Sequence, residues 1–529
     1  MVAIYDTTLR DGTQGEGISL SCADKIRIAR RLDELGIAFI EGGWPGSNPK
    51  DAEFFSRARD LSWRASIAAF GSTRRKGVAP EDDANLRALL AVDAPVCTIF
   101  GKASTLHVRE VLRASLDENL QMIEDSVAFL RAGGRRVIFD AEHFFDGYGA
   151  DATYAVEAVR AAARGGAEVA VLCDTNGGSL PWDVERIVAA VGESAGIPLG
   201  VHCHDDSGCG VANSLAAVTA GAVHLQGTIN GYGERCGNAN LCAVIPGLQL
   251  KLGQRAVAGN LAELCEVSRY VAEVANRAPI DQMPYVGKSA FAHKGGVHVA
   301  AMRRDETSYQ HITPAAVGNR SRVVVSELSG RGNLVALAEE ANLPVAAGEV
   351  AHVLDEVKAL EAQGFSFDAA EASVALMLSR QLASYRPPFS LIDYTVVVEH
   401  RAGLGTFAEA TVKIDVGGER LHTAAEGNGP VEALDRALRK ALLPAFHEVA
   451  DIALIDYKVR IIDSDHGTGA VTRVLIDTRA HDREWTTVGA SANIIEASWL
   501  ALSDSYEYGI GVAVAAVAEV PQKVAKGRA

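Results

Sequence analysis

Residues 2–43 read VAIYDTTLRDGTQGEGISLSCADKIRIARRLDELGIAFIEGG. The opening VAIY is a short β-branched and apolar run, which is a strand signature. It ends in the polar, glycine-containing Asp6-Thr7-Thr8-Leu9-Arg10-Asp11-Gly12. Residues 23–36, ADKIRIARRLDELG, then place apolar side chains at helical spacing and stop at Gly36. A second strand run, IAFIEGG, follows at once from Ile37. Strand, loop, helix and strand make one βα unit, and the unit recurs. Further runs start at Arg64 (RASIAAF), Pro95 (PVCTIF), Arg136 (RVIFDAE), Glu168 (EVAVLCD), Pro198 (PLGVHCH) and Ala222 (AVHLQGT), eight in all. Their spacing of about 25 to 40 residues is that of a strand plus its returning helix. Eight units in about 250 residues predict an α/β protein with a closed (β/α)8 TIM barrel, here over residues 1–275. The competing open doubly wound sheet lacks a GxGxxG after the first strand.

Past residue 275 the rhythm changes. Residues 276–330 are rich in His, Gly and Arg, hold AFAHKGGVHVAAM, and read as a linker subdomain. Residues 331–386 read as a small helical subdomain, ended by the stiff Arg386-Pro387-Pro388. Residues 390–515 contain a weak internal repeat in which Tyr394 falls on Tyr457 and Gly427 near Gly489. Each copy reads as strands, a turn and a helix. Duplicated βββα units pack as one pseudo-symmetric module, because neither copy buries its sheet alone. With no catalytic constellation of its own, this α+β module points to regulation or dimerisation. Residues 516–529 read as a flexible tail.

Composition narrows the function classes. Against 51 Lys and Arg stand 67 Asp and Glu, a formal charge of −16. Such a surface repels phosphates, so nucleic acid and anionic membranes are not expected partners. Hydrophobic residues at 48% supply ample core. No apolar run approaches the ~20 residues of a membrane span, and the start has no signal-peptide pattern. The eight Cys form no CxxC pair, which fits reduced thiols in a cytoplasmic enzyme.

The strongest local chemistry is His202-Cys203-His204 at the end of the seventh run. Residues i and i+2 of a strand face one side, so both imidazoles share a space while Cys203 turns into the barrel wall. In a barrel the C-terminal strand ends build the active site. Two imidazoles joined by an oxygen ligand hold a divalent metal with open positions; without one they are hydrogen-bonded histidines in a polar mouth. Asp11, after the first run, is the candidate oxygen donor. Arg10 beside it can grip a carboxylate or a developing enolate oxygen. Glu41, Asp140-Ala141-Glu142-His143 and Asp174-Thr175-Asn176-Gly177 end other runs, and Asn230 to Asn238 form a Gly-rich stretch. Each alone is what any loop shows; together they are denser than loops require.

The run Asp6 to Gly12, Asp174-Thr175-Asn176-Gly177, His202-Cys203-His204-Asp205 and Gly237-Asn238-Ala239 together resemble the signature of the α-isopropylmalate/homocitrate/citramalate synthases. The resemblance covers almost the whole chain, and Glu41 to Asp51 resembles the citramalate branch. It implies a metal-dependent barrel that condenses acetyl-CoA with a 2-oxo acid, here pyruvate, in the isoleucine route. It assigns Asp11, His202, His204 and Asn238 to the metal (Mg, Mn or Zn), and Arg10 and Thr175 to the 2-oxo acid. Glu142 is placed beside the reacting carbons, and His298 is the base with Glu142 as its partner. Tyr309 stands near the family's functional tyrosine. The pattern departs at Asp140, where related pockets carry an aromatic. The resemblance also implies a homodimer and an isoleucine effector. Gly427, Asn428 and Gly429, before Pro430, either receive that effector's carboxylate or simply cap a helix. The same chemistry on 3-methyl-2-oxobutanoate (isopropylmalate) or 2-oxoglutarate (homocitrate) is the alternative. More remote are an HMG-CoA-lyase-like lyase and an amino-acid sensor that has lost catalysis. The duplicated tail and the presence of Arg10, Asp11, His202, His204 and His298 weigh against both.

Overall fold

The computed structural model describes residues 2–518 apart from Arg303, Glu327, Leu328, Leu404, Asp463 and Asp482. Its contacts divide the chain into two compact units, Met1–Phe291 with Ile312–Arg320, and Ala292–His311 with Ser321–Ala529.

In the first unit β1 (Ala3–Asp6), β2 (Phe39–Gly43), β3 (Ser66–Ser72), β4 (Val96–Lys102), β5 (Arg136–Glu142), β6 (Val169–Asp174), β7 (Leu199–Cys203) and β8 (His224–Gly227) form a closed parallel barrel in sequential order. Pairing of β1 with β8, Tyr5 opposite Gln226, closes it. Each run read from sequence contains one strand. The first helix, Cys22–Leu35, begins at a Ser21–Asp24 capping box and ends at Gly36 with φ 88°. A Cβ at Gly36 would also meet the Gly259 nitrogen at 2.2 Å, so no larger residue fits there.

The period-two alternation sorts the strands into two cores. Tyr5, Phe39, Ala68, Val96, Ile138, Val171 and Cys173 fill the barrel interior. The residues between them, such as Ile4, Ile40, Ile67, Ile99, Phe139, Leu172, Cys203 and Leu225, pack under the helices. Cys203 thus lies in the wall, as its parity requires.

The loop after β2 is held by a buried ion pair. Lys25 meets the Asp51 carboxylate and the Gly42 carbonyl at 3.2 Å. Asp51 also accepts the Trp44 amide at 2.8 Å. Trp44 is thereby set edge-on against Phe70 and Phe100, at 5.6 and 5.7 Å between centroids.

The second unit contains a two-stranded parallel pair, β9 (Ala292–His293) and β10 (Arg322–Val323), and helices Gly296–Met302, Arg331–Glu340, Ala347–Glu361 and Glu371–Arg380. Residues 312–320 belong to the barrel unit, so the segment 276–330 contributes to both units. The repeat is a doubled βββα. β11 (Ser390–Arg401), β12 (Gly405–Val416) and β13 (Glu419–Gly427) precede helix Pro430–Leu442. β14 (Ala453–Ile461), β15 (Thr472–Ala480) and β16 (Arg483–Ser491) precede helix Ile494–Ala518. Both copies carry an irregularity at the matching place, Leu391/Asp393 and Leu454/Asp456. The copies share one core, with Tyr394 of the first stacked on Trp499 of the second at 5.2 Å. The last helix runs past the 516 boundary of the expected tail, and residues 519–529 lie outside the described residues.

Removing one partner of a buried ion pair leaves the other charge unmatched. Lys25→Met should therefore destabilise the barrel by about 3–5 kcal/mol, seen as an earlier first transition in urea; an unchanged transition would show that Asp51 does not depend on Lys25.

Candidate active site

The loop after β1 is shaped by its own side chains. Asp6 accepts the Thr8 amide and hydroxyl, both at 2.9 Å, and the Thr8 hydroxyl accepts the Ile229 amide from beyond β8 at 2.9 Å. That tie closes the mouth between β8 and β1 and turns Asp11 inward. One ligand atom each from Asp11, His202 and His204, all buried, lie within 4.8 Å of one another. His202 Nε2 lies 3.4 Å from Asp11 Oδ2.

The network behind His202 sets its tautomer. Gln226 Nε2 donates to Asp140 Oδ1 at 2.9 Å, which turns Gln226 Oε1 toward His202 Nδ1, 2.9 Å away. Nδ1–H therefore donates, and Nε2 is turned toward Asp11. Burial, the largest cause, pushes His204 down to about 4, which leaves its imidazole neutral at pH 7. Burial works against the Asp11 charge, but the neighbouring charges, the Arg10 guanidinium foremost, prevail and hold its carboxyl below the usual range. Two imidazoles, one carboxylate, and the buried Asn238 Oδ1 and His204 Nδ1, which have no hydrogen-bond partner among the described residues, suit a divalent cation. Asn238 lies next to His204 through a backbone bridge.

Arg10 is fixed on three sides. Its Nε donates to Glu41 Oε2 at 2.7 Å, Nη1 lies 3.5 Å from Asp11 Oδ1, and the guanidinium carbon sits 3.7 Å over the Phe70 ring. Glu41 also accepts the Tyr5 hydroxyl at 2.6 Å and the Thr7 hydroxyl. Burial opposes the Arg10 charge, but Glu41 and Asp11 more than offset it and raise its pKa. Among the described residues Nη2 takes no bond, which leaves it for a ligand oxygen.

A buried carboxylate–bis-imidazole triad beside a fixed guanidinium is the arrangement the resemblance implied. Residues 1–271 match the HMGL-like family model, 285–364 the homocitrate synthase post-HMGL domain-like model, and 368–510 the LeuA allosteric (dimerisation) domain model. An (R)-citramalate synthase of Geobacter sulfurreducens is 51% identical, covering 96% of this chain and 97% of that one. The Synechocystis enzyme of that name is 51% identical over 96% of each chain. The chain belongs to the (R)-citramalate synthase family. A probable 2-isopropylmalate synthase of Methanopyrus kandleri, by contrast, is 32% identical over 94% of this chain.

The remaining candidate residues of this family member fall as follows. The Thr175 hydroxyl accepts the His143 amide at 2.9 Å and keeps its own proton to donate. The Glu142 carboxylate is engaged by Lys102, a residue that sequence reading passed over. His298 and Tyr309 lie in the second unit, their rings stacked at 4.3 Å. Of the Gly427–Gly429 run, the Asn428 amide is taken by Glu432 at 2.8 Å and Pro430 opens the helix. Gly429 caps that helix without a side-chain hydrogen bond. Gln226 and the partnership of Glu41 with Arg10 were also unread, although both residues have inward parity.

Replacing Gln226 by Leu deprives His202 of the acceptor that orients it. Metal affinity, measured by competition titration, should fall about 10–100-fold. Unchanged affinity would show that His202 is oriented by something else.

Proposed function

We propose that the protein condenses acetyl-CoA with pyruvate and hydrolyses the thioester, releasing (R)-citramalate and CoA. The observation that carries this reading is the Asp11–His202–His204 triad under Arg10, in a chain similar over almost its full length to (R)-citramalate synthases. Asp11, His202 and His204, with Asn238 at hand, would hold a divalent cation, which would supply Lewis-acid polarisation of the keto oxygen. Arg10, immobilised by Glu41, offers Nη2 to the oxygen on which charge develops. The Thr175 hydroxyl donates to the carboxylate of the 2-oxo acid. Glu142 stands beside the reacting carbons.

The acetyl methyl group loses a proton to an enzyme base, and its C–H electron pair becomes the new bond to the keto carbon. The keto oxygen takes up a proton, and water then splits the thioester into carboxylate and free thiol. His298, with Tyr309 against its ring, keeps the proton-transfer role that the resemblance gives it. The packing of Phe70, Phe100 and Trp44 beside Arg10 supports a short alkyl substituent. Each methylene is worth only about 1–3 kcal/mol in such a pocket, so 2-oxobutyrate should react more slowly than pyruvate but measurably. The C-terminal βββα module is read as the dimer-forming and effector-binding part, with isoleucine as effector.

Thiol release from acetyl-CoA should be fastest with pyruvate in a panel with 2-oxobutyrate, 3-methyl-2-oxobutanoate and 2-oxoglutarate. It should cease on chelation, return with added divalent metal and fall with isoleucine. A larger 2-oxo acid as best substrate would contradict the pyruvate assignment. No release from any of the four, with metal present, would contradict the reaction itself.

A further inference from the structure

Lys102 and Glu142 close β4 and β5 as register partners. Their parity is that of Thr98 and Phe100, and of Ile138 and Asp140, so both side chains turn into the barrel mouth. There the ammonium meets the carboxylate, with side chains only 13% and 24% exposed. A cross-strand pair on an outer surface is worth little. Inside a mouth both ends are partly stripped of water, and neither is needed to fill the apolar layer below.

The surroundings of the pair are unusual in a second, independent way. His107 and His143 stack face to face, 3.7 Å between centroids and 12° between planes. His107 opens a π-helical turn, His107–Leu112, and His143 sits in the left-handed region at φ 58°. Such backbone is concentrated at functional sites because it costs energy to hold. Burial and Lys102 keep His107 below its ordinary value, and burial and His107 do the same for His143. The stack is therefore a neutral wall, and Lys102 is the cation that faces Glu142. Asp146 and Cys173 are the other titratable groups nearby.

In a barrel of eight strands in sequential order, β4 and β5 lie across from β8 and β1. The metal triad follows β7 and β1, so the Lys102–Glu142 pair stands on the opposite wall. Joining two carbons needs the partners held face to face, one on each wall. We propose that Lys102 is a positioning residue for the condensation: its ammonium holds the Glu142 carboxylate in place beside the acetyl methyl group. Lys102 exchanges no proton in this role and acts only through Glu142. The inference rests on the reading of Glu142 given above.

The test uses the full chain with metal, pyruvate and acetyl-CoA, and compares Lys102→Met, Lys102→Arg, Glu142→Gln and the double variant K102M/E142Q. Lys102→Met should lower kcat by about tenfold or more with little change in the pyruvate KM. Lys102→Arg should recover most of that loss. The double variant should be no slower than Glu142→Gln alone, because both changes remove one function. Full activity in Lys102→Met with Glu142→Gln impaired would overturn the role of Lys102 alone. Independent, multiplying losses would do the same. Full activity in Glu142→Gln would overturn the reading of Glu142. Should Lys102→Met fail to fold by circular dichroism, Lys102→Gln against Lys102→Arg decides on the same criteria.

Discussion

Glu41 has no solvent exposure at all, and an ionised carboxylate in such a place is stable only if its oxygens are matched. Tyr5, Thr7 and Arg10 match them. Tyr5 donates from inside the barrel, Thr7 from the loop leaving β1, and Arg10 from farther along that loop. One carboxylate on β2 thereby fixes the path of the chain after β1. Arg10 so held lies over Phe70 and against Asp11, and Asp11 in turn completes the triad with the two histidines of β7. The guanidinium is positioned before any ligand arrives, which is the condition for electrostatic stabilisation without reorganisation.

The polar layer around Glu41 is possible because an apolar layer lies beneath it. Tyr5, Phe39, Ala68, Val96, Ile138 and Val171 close the barrel interior; in the next inward layer Asp140, Gln226 and His202 bond to one another, while Glu41 and Thr98 share the Tyr5 hydroxyl. Burial and the Glu41 charge push Asp140 up to about 8, so this network does not have to hold two full negative charges. The line from Asp140 through Gln226 to His202 connects the interior to the metal ligands. The aromatic packing of Trp44, Phe70 and Phe100 joins the Lys25–Asp51 pair under the β2 loop to the ring on which Arg10 rests. The placement of Arg10 therefore depends on interactions well below the surface of the mouth.

Much of this was legible in the chain because period and spacing report local geometry. Eight runs gave eight strands, and the parity of His202, Cys203 and His204 placed two of them inward and one in the wall. The Gly36 stop is a backbone requirement that only glycine meets. What stayed hidden depended on which residues of distant strands stand side by side. Parity tells which face a side chain takes, but not which neighbour the register brings to it. The register of β4 on β5 brings Lys102 to Glu142, a neighbour that neither residue's own strand announces. Gln226 is inward-facing yet reads as an ordinary strand residue until His202 and Asp140 are found on either side. His143 in a left-handed conformation leaves no mark in composition, and its stacking on His107 joins residues 36 positions apart. Before helix Pro430–Leu442, Glu432 takes up the Asn428 amide, a bond that a bare sequence does not reveal.

The central claim is that Asp11, His202 and His204 hold one divalent cation on which the 2-oxo acid is bound in front of Arg10. Anomalous diffraction from crystals loaded with manganese and pyruvate tests it most directly. The account predicts one strong anomalous peak bounded by Asp11, His202 and His204, with pyruvate density joining the peak to Arg10. A peak elsewhere, or pyruvate bound away from Arg10, would contradict it.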